Sequence, residues 1–506
     1  MSFVVRASNS TGSQGRRPIA DRHDYSEKVP PTTSMKATFA DEALDVLARY
    51  LEIPCLSPAY DPEWATAGQL DRAVELLADW AKNRPIPGIQ VDIHRLEGRT
   101  PVLVCEIPAT DPEASGTVML YGHFDKQPPL GNWSPGLDPF RPIVRSERLY
   151  GRGSADDGYS LFAALLAVES VERAGLRHPR CVVLIEGSEE SASPDLEAHL
   201  DALTERLEGT DLLVCLDSGA PTFDRLWLTQ SLRGNAVVTV DIRVLERGVH
   251  SGTASGVVPS PFRVLRQLLN RMEDPYTGEV LLPALSAQPP ADQVRRLEDL
   301  ASELGDVVAG QLPVLEGVEL AGDGPAERLL RQAWRPAMSV IGIDGMPSVS
   351  EGGNVVHAGT TANLSFRLPP SVDAVTATAS IVDVLKQDPP SGAKVTVTAH
   401  PPASGWSCPR LAPWLLEALD KASTASFGRK AGWTSEGGTI PFLATLGKRF
   451  PGVQVVATGV LGPGSNAHSI DESLHIPTAE SVTLSVAHLL EARAEMAKGG
   501  GIPPSD

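Results

Sequence analysis

Apolar residues recur along the chain at two spacings, and each spacing predicts one type of element. The segments EALDVLARYLEI and DRAVELLADWAKN place apolar residues at helical spacing. GIQVDIHRLEG and PVLVCEIPA alternate apolar and polar residues, as paired strands do. The strand TVMLYGHFD follows, and the pattern then runs helix, strand, helix, strand as far as DLLVCLDSG. This order predicts an α/β unit in which a mixed, mainly parallel sheet is flanked by helices.

A second, smaller α+β pattern interrupts the first. SLRGNAVVTVDIRVLE, TTANLSFRLPP and AKVTVTAH predict strands, whereas SPFRVLRQLLNRM and DAVTATASIVDVLKQD predict helices. The α/β pattern returns after His400 and ends in the helical stretch TAESVTLSVAHLLEARAEMA. We therefore expect a catalytic domain made of residues 35–229 and 400–498. Residues 230–399 are expected to form an inserted two-layer lid or dimerisation domain, in which the acidic stretch Glu279–Arg331 is not placed by its pattern.

Composition limits the class of protein. The 506 residues suffice for two to four domains, and the net charge of −19 without a basic patch argues against nucleic acid as a partner. Residues 1–34 are polar and aperiodic, which predicts a flexible arm, and residues 499–506 are expected to be a tail. The chain shows no secretory signal and no run of about 18 apolar residues, so we expect no membrane contact and a cytoplasmic location. Five cysteines without a Cys-x-x-Cys motif predict reduced, buried thiols.

Metal-binding side chains follow several of the apolar strands. His123 and Asp125 are two residues apart in VMLYGHFDKQ, so that an extended strand directs both to one face. A carboxylate beside a metal-binding histidine commonly fixes the tautomer of that histidine. Asp156 stands at the start of a predicted helix, where helix capping alone also explains an aspartate. A surface loop after an edge strand is the alternative interpretation of His123 and Asp125.

Further carboxylates and a second histidine follow the later strands. Glu189 and Glu190 come after the apolar strand VVLI, and adjacent buried carboxylates repel each other unless a cation compensates. Such a pair suits one metal ligand and one general base, and a solvated acidic turn is the alternative. Asp217 ends the strand LLVC, and His468 follows VQVVATGV through a glycine-rich loop. Taken alone, each of these two is an ordinary turn residue.

Five of these residues fall at the carboxyl ends of strands in one α/β unit, where a crevice forms. They are His123, Asp156, Glu190, Asp217 and His468. Two histidines and three carboxylates suit a pair of divalent ions such as Zn²⁺, and Mn²⁺ or Co²⁺ also fit. Five ligands for two ions require one carboxylate to bridge them.

Eight segments resemble the motifs of one family of dinuclear zinc metallopeptidases and amidohydrolases. In chain order they are YGHFD, YGRGSADD, EGSEES, LDSG, HSG, SFRLPP, SEGGTIP and AHSID. The family includes carnosinase, carboxypeptidase G, aminoacylase, acetylornithine deacetylase and succinyl-diaminopimelate desuccinylase, and the chain most resembles the carnosinase-like dipeptidases. The resemblance extends from Asp41 to Lys498. It implies that Asp156 bridges the two ions, with His123 and Asp217 on one ion and Glu190 and His468 on the other.

The resemblance also implies roles for residues around the ions. Glu189 is expected to act as general base, Asp125 to orient His123, and the peptide bond between Asp156 and Asp157 to be cis. His250 is expected to reach the active site of a partner subunit and to stabilise the oxyanion, which implies a homodimer. Residues expected to bind the substrate are Arg367, Asn354 and the backbone cradle of Gly437, Gly438 and Thr439. Glu436 borders this cradle and has no assigned role.

These implications predict a metal-dependent hydrolase that cleaves a peptide or amide bond in small substrates with a free carboxylate. The expected enzyme is a dipeptidase or small-peptide carboxypeptidase, and the alternative is an N-acyl-amino-acid deacylase with the same site. A non-catalytic binding protein is disfavoured, because the five ligands and Glu189 are all present. Two departures concern the substrate. Gly158 stands where many relatives have a lysine, and Ser435 stands where carnosinase-like relatives often have an arginine. We further expect hinges at Leu228–Arg233 and Thr398–Ser404, which would close the inserted domain over the substrate.

Overall fold

The structure is a computed structural model, which describes residues 35, 38–114, 116–438, 440–450 and 452–496. Three sequence predictions lie outside the described residues: the flexible arm, the tail and the role of Thr439. None of the helices in the described ranges combines the length and the apolar character needed to cross a bilayer.

A six-stranded sheet lies at the centre of the α/β part. Its strands, in spatial order, are Gln90–His94, Val102–Ile107, Arg180–Glu186, Thr117–His123, Thr210–Cys215 and Gln454–Ala457. Both pairings of Val102–Ile107 are antiparallel, and the other three pairings are parallel. The predicted mixed, mainly parallel sheet is therefore confirmed.

Helices cover both faces of this sheet. Val118 and Leu120 belong to one hydrophobic cluster, whereas Met119 and Tyr121 belong to another, because alternate residues of a strand point to opposite faces. The helices of the α/β part are Phe39–Glu42, Leu44–Leu51, Trp64–Ala67, Gln69–Lys82, Ser160–Arg173, Leu196–Ala202, Thr204–Leu207, Pro413–Phe427, Pro441–Arg449 and Ile476–Met496, with a 3₁₀ turn at Glu189–Ser191. A small antiparallel sheet of Ser473–His475, Arg148–Tyr150 and Ile143–Arg145 lies outside the central one.

The interrupting segment contains its own sheet and core. Its four antiparallel strands, in spatial order, are Ala337–Asp344, Gly359–Leu368, Gly234–Arg243 and Lys394–Ala399. Helices Pro261–Met272 and Ala374–Lys386 pack on this sheet through a separate hydrophobic cluster. The segment's shorter elements are Val249–His250 paired with Val355–Val356, the helix Ser251–Ala254, and 3₁₀ turns at Pro283–Leu285 and Pro390–Gly392. The domain boundaries stay a prediction.

The stretch that the sequence pattern did not place contains regular helices. They are Ala291–Leu304, Val307–Gln311 and Pro325–Trp334. A hydrophobic cluster joins these helices to Trp227, in a sheet of Trp406–Ser407, Trp227–Leu232 and Gly432–Glu436. Most of the expected hinge Leu228–Arg233 is thus a buried strand with a neighbour on each side. The hinge itself stays a prediction.

Candidate metal centre

His123 ends a fully buried strand, and its ring is held by Asp125. The His123 Nδ1 atom lies 3.1 Å from the Asp125 carbonyl oxygen and 3.4 Å from the Asp125 Oδ1 atom. The Asp125 carboxylate in turn accepts hydrogen bonds from the backbone N–H groups of Glu189, at 3.1 Å, and Glu190, at 3.0 Å. Asp125 therefore joins two neighbouring strand ends and leaves the Nε2 atom of His123 to face the acidic cluster.

Asp156 lies between the two histidines. Its Oδ1 atom is 3.3 Å from His123 Nε2, and its Oδ2 atom is 3.0 Å from His468 Nε2. His468 Nε2 is also 3.1 Å from Glu190 Oε2, and His123 Nε2 is 3.8 Å from Asp217 Oδ2. The structure thus brings all five predicted ligands together, with Asp156 in the middle.

Two sets of these donor atoms are close enough to surround a metal ion. The atoms of His123, Asp156 and Glu190 lie within 4.8 Å of one another, as do those of His123, Glu189 and Asp217. The second set includes Glu189, which the sequence analysis expects to act as a base. Which ion each side chain binds stays a prediction.

The cluster concentrates buried negative charge. Burial, with the nearby charge of Asp217, raises the pKa of Glu189 well above its usual range, and burial raises the pKa of Asp217 to about 7. Burial lowers the pKa of His468, but its hydrogen bonds to Asp156 and Glu190 raise that pKa to about 11. In the described part of the chain, the ion-pair contacts of Asp156, Glu190 and Asp217 are all with histidines. This donor set fits divalent cations, which would compensate the carboxylates and leave the histidines neutral.

The loop that carries Asp156 is held by Glu472, which the sequence analysis did not single out. Glu472 Oε2 forms a buried ion pair with Arg152 Nη1 at 2.6 Å. Glu472 Oε1 accepts backbone hydrogen bonds from Gly153, Ala155 and Asp156 at 3.1 to 3.3 Å. The peptide bond after Asp156 is cis, as the resemblance implied. An acidic residue four positions after His468 was the available signal for this contact.

A second acidic residue fixes the loop after Asp217. Glu436 Oε1 accepts hydrogen bonds from Ser218 Oγ at 2.6 Å, Gly219 N–H at 2.9 Å and Thr229 Oγ1 at 2.6 Å. Glu436 therefore connects the strand Gly432–Glu436 to the residues next to Asp217. These contacts give Glu436, which had no assigned role, a structural one.

Arg367 has a neighbour that the sequence analysis missed. Arg367 lies opposite Asn235 in paired strands, two residues from Arg233. Burial, with the nearby charge of Arg367, lowers the pKa of Arg233 to about 10. Arg233 Nε is 3.4 Å from the Gly437 carbonyl oxygen, and a Cβ atom on Gly437 would lie 2.8 Å from Arg233 Nη2. Arg233, which is close enough to Arg367 to feel its charge, thus lies against the predicted cradle, whose Gly438 is exposed.

His250 and Asn354 lie beside each other in the interrupting segment. His250 is exposed, pairs with Val355, and accepts a hydrogen bond at Nδ1 from the Gly252 N–H at 3.1 Å. The Asn354 carbonyl oxygen accepts a hydrogen bond from the Ser251 N–H at 2.8 Å. Neither residue is part of the metal-binding sets found in the described part of the chain.

A family model agrees with this geometry. The model described as peptidase family M20/M25/M40 matches residues 119–492. The chain belongs to this family. The family resemblance and the class of hydrolytic metalloenzyme predicted from the sequence are therefore confirmed.

Individual relatives are dipeptidases. The chain is 28% identical to the cysteinylglycine-S-conjugate dipeptidase of Corynebacterium striatum, over 74% of this chain and 80% of that protein. It is 25% identical to the human Beta-Ala-His dipeptidase, over 90% of this chain and 92% of that protein. The solved structure of Dug1p, a di-peptidase from Saccharomyces cerevisiae, matches with a TM-score of 0.73 and 22% identity over 89% and 95% of the two chains. The fold of this M20 protein is therefore that of known dipeptidase structures.

Proposed function

We propose that the protein is a metal-dependent dipeptidase acting on small substrates with a free carboxylate. The observation that carries this proposal is the cluster of two histidines and three carboxylates, in which His468 is exposed and the other four side chains are buried, with Glu189 beside it. The names of the relatives support a dipeptide substrate. The N-acyl-amino-acid deacylase is the alternative, and a succinyl-diaminopimelate desuccinylase of Methylibium petroleiphilum matches over 18% of the chain.

We propose that each subunit holds two divalent ions, with zinc preferred. Asp156 would bridge them, with His123 and Asp217 on one side and Glu190 and His468 on the other. When bound, such ions acidify a water molecule and polarise the scissile carbonyl.

The chain's own residues supply the proton transfers and the orientation. Glu189 accepts a proton from the attacking water and delivers it to the leaving amine, and its carboxylate lies within 4.8 Å of donor atoms of His123 and Asp217. Asp125 keeps the Nε2 atom of His123 directed at the cluster through the contacts at Nδ1. Arg367 and the backbone of Gly437 and Gly438, with Thr439, bind the substrate carboxylate, and Asn354 contacts the substrate.

We propose that a homodimer completes the site. His250 is exposed and makes its described contacts within the interrupting segment, so a partner's active site is a suitable destination for it. The strand Ala337–Asp344 forms an edge of the four-stranded sheet. On this edge Val340, Ile341 and Ile343 are 46%, 59% and 48% exposed, which favours pairing with a second copy.

Five free cysteines among the described residues favour a cytoplasmic location.

Hydrolysis of a paired panel of substrates tests the proposed function. Free dipeptides are compared with N-acetyl and N-succinyl amino acids, after chelation and after re-addition of Zn²⁺ or Mn²⁺. We expect metal-restored cleavage of the dipeptides. Cleavage of the acyl derivatives alone would assign the protein to the deacylases, and no metal-restored cleavage of either group would contradict a catalytic role.

A further inference from the structure

Glu186 is a buried glutamate that has no role in the proposed reaction. It ends the central strand Arg180–Glu186, three residues before Glu189, and is 1% exposed. A buried carboxyl group is costly unless hydrogen bonds satisfy its oxygen atoms. The hydrogen-bond partners of Glu186 therefore indicate why a glutamate stands at this position.

The Glu186 carboxyl group contacts both ends of the turn that carries the proposed general base. Its Oε1 atom accepts a hydrogen bond from Ser193 Oγ at 2.9 Å, and its Oε2 atom accepts one from Ser188 Oγ at 3.4 Å. Ser188 immediately precedes the 3₁₀ turn Glu189–Ser191, and Ser193 follows the turn by two residues. Tyr121, on the neighbouring strand, also donates its hydroxyl hydrogen to Oε1. Among the described residues, the side-chain hydrogen bonds of Glu186 thus come from these three hydroxyl groups.

The backbone after this turn adopts a conformation that is unfavourable for its residues. Ala192 and Ser193 have φ angles of 67° and 51°, in the left-handed region that disfavours residues with a Cβ atom. The Ala192 N–H donates to the Glu189 carbonyl oxygen at 2.7 Å, and the Ser193 N–H donates to the Ser188 carbonyl oxygen at 3.0 Å. The Ser193 hydroxyl adds its contact with Glu186. This contact therefore stabilises a conformation that the local sequence does not favour.

Other contacts hold the turn itself but not the residues after it. The Asp125 carboxylate accepts hydrogen bonds from the N–H groups of Glu189 and Glu190. Ser191 Oγ lies 2.5 Å from Ser57 Oγ. These contacts do not involve the two residues with left-handed φ angles. The restraint of those two residues is therefore left to their backbone hydrogen bonds and to the buried glutamate.

We propose that Glu186 is a positioning residue for Glu189. By binding Ser188 and Ser193, it holds the turn in the conformation that places the Glu189 carboxylate within 4.8 Å of donor atoms of the metal centre. Its hydrogen bonds are with hydroxyl groups of the protein, so it acts through the turn and not on the substrate. The effect on catalysis rests on the proposed function, whereas the restraint of the turn does not depend on turnover.

Substitutions of Glu186 test this role in the metal-loaded protein, with a dipeptide that the wild type cleaves. Glu186→Met keeps an unbranched side chain but has neither oxygen. We expect it to lower kcat by about tenfold to a hundredfold with KM nearly unchanged, because a misplaced base slows the chemical step. Glu186→Gln keeps an acceptor oxygen for Ser193 and should retain about half of the wild-type kcat or more.

Tyr121→Phe is the matched control, because it removes a hydrogen bond to the same carboxyl group without changing a contact of the turn. We expect it to keep the wild-type kcat. Ser193→Ala removes one hydroxyl group from a half-buried residue and should lower kcat about fivefold, so the test stands even if Glu186→Met does not fold. In a double variant, Ser193→Ala should add little to the effect of Glu186→Met, because both substitutions remove the same contact.

Amide hydrogen exchange of residues 187–195 measures the restraint of the turn without turnover. We expect exchange to be about fivefold faster in Glu186→Met and Ser193→Ala than in the wild type, and unchanged in Tyr121→Phe.

Unchanged exchange in both Glu186→Met and Ser193→Ala would overturn the proposal, and so would faster exchange with an unchanged kcat. Equal losses of kcat in Tyr121→Phe and Ser193→Ala would also overturn it, since a general loosening of the buried site would explain both. Faster exchange in the variants of a protein that hydrolyses neither dipeptides nor N-acyl amino acids would refute the proposed function alone.

Discussion

At the scale of single residues, Glu189 carries the proton transfer in the proposed mechanism. We expect Glu189→Gln to lower kcat by about 10² to 10⁴, because the amide cannot accept the proton from water. Metal content, measured by elemental analysis, should remain that of the wild type if Glu189 is not a ligand. Glu197→Gln, at an exposed glutamate of the helix Leu196–Ala202, is the control and should keep full activity. Full activity of Glu189→Gln would refute the assignment of the base, and loss of metal would make Glu189 a ligand.

Arg233 gives a prediction about substrate binding. Its guanidinium lies near Arg367 and Gly437, where it would add positive charge opposite a substrate carboxylate. We expect Arg233→Met to raise KM about tenfold for free dipeptides, with a smaller effect on dipeptide amides. The amides serve as the internal control, since they lack the negative charge. An equal rise in KM for both substrates would assign Arg233 a purely structural role.

The sequence predicts the acidic cluster better than the residues that support it. His123, Asp156 and Asp217 could be selected because they follow or lie between apolar strands, and strand ends converge by geometry. Glu472 and Arg233 act on backbone groups that are distant in the sequence. The position of Glu472 four residues after His468 does not reveal which backbone groups it binds, since such contacts depend on how the loops meet in three dimensions.

At the scale of elements, an ion-pair network fastens the first helices to the helix Ser160–Arg173. Glu42 Oε1 lies 2.7 Å from Arg173 Nη1, and Arg84 bonds both Glu42 and Glu169. The hydrogen bond from Arg173, with a further one from Arg84 and against the effect of burial, lowers the pKa of Glu42 from 4.5 to about 2. The lowered pKa means that ionised Glu42 stabilises the folded state at pH values above 4.5.

We expect Glu42→Gln to be less stable than the wild type by about 1 kcal/mol at pH 6. The difference should shrink as the pH falls from 4.5 towards 2, because the wild-type carboxylate then becomes protonated as well. Urea unfolding at pH 6 and pH 3 measures it. Glu75→Gln is the control, as Glu75 is 62% exposed and lies 3.8 Å from Arg95. A difference that does not change with pH would show that charge is not its source.

The hydrophobic periodicity of the sequence predicts strands that pack in the central core, but it does not predict where a helix lies when its packing partner is distant in the sequence. The central strands alternate between two hydrophobic clusters, which is why their pattern is clear. The helix Pro325–Trp334 follows an acidic, glycine-bearing stretch, and its Leu329 and Trp334 pack against Trp227. The partner for this helix is thus about a hundred residues away in the sequence. Its position follows from tertiary packing, which the local pattern does not contain.

At the scale of the whole molecule, each active site of the proposed homodimer needs one essential residue from each of the two subunits. Glu189 would act in the site of its own subunit, and His250 in the site of the partner. Each of the variants Glu189→Gln and His250→Ala should therefore be nearly inactive as a homodimer. In a hybrid dimer that contains one subunit of each variant, one of the two sites has both residues intact.

Unfolding and refolding an equal mixture of the two variants should then recover roughly a quarter of the wild-type activity, since half of the dimers are hybrids with one working site in two. Measuring dipeptide hydrolysis before and after mixing tests this. Placing both substitutions in the same chain and mixing that chain with Glu189→Gln is the control, because no site then has Glu189. No recovery after confirmed subunit exchange would mean that His250 acts within its own subunit or not at all. Ile341→Asp, on the exposed edge strand, should abolish recovery by preventing dimerisation, which analytical ultracentrifugation checks.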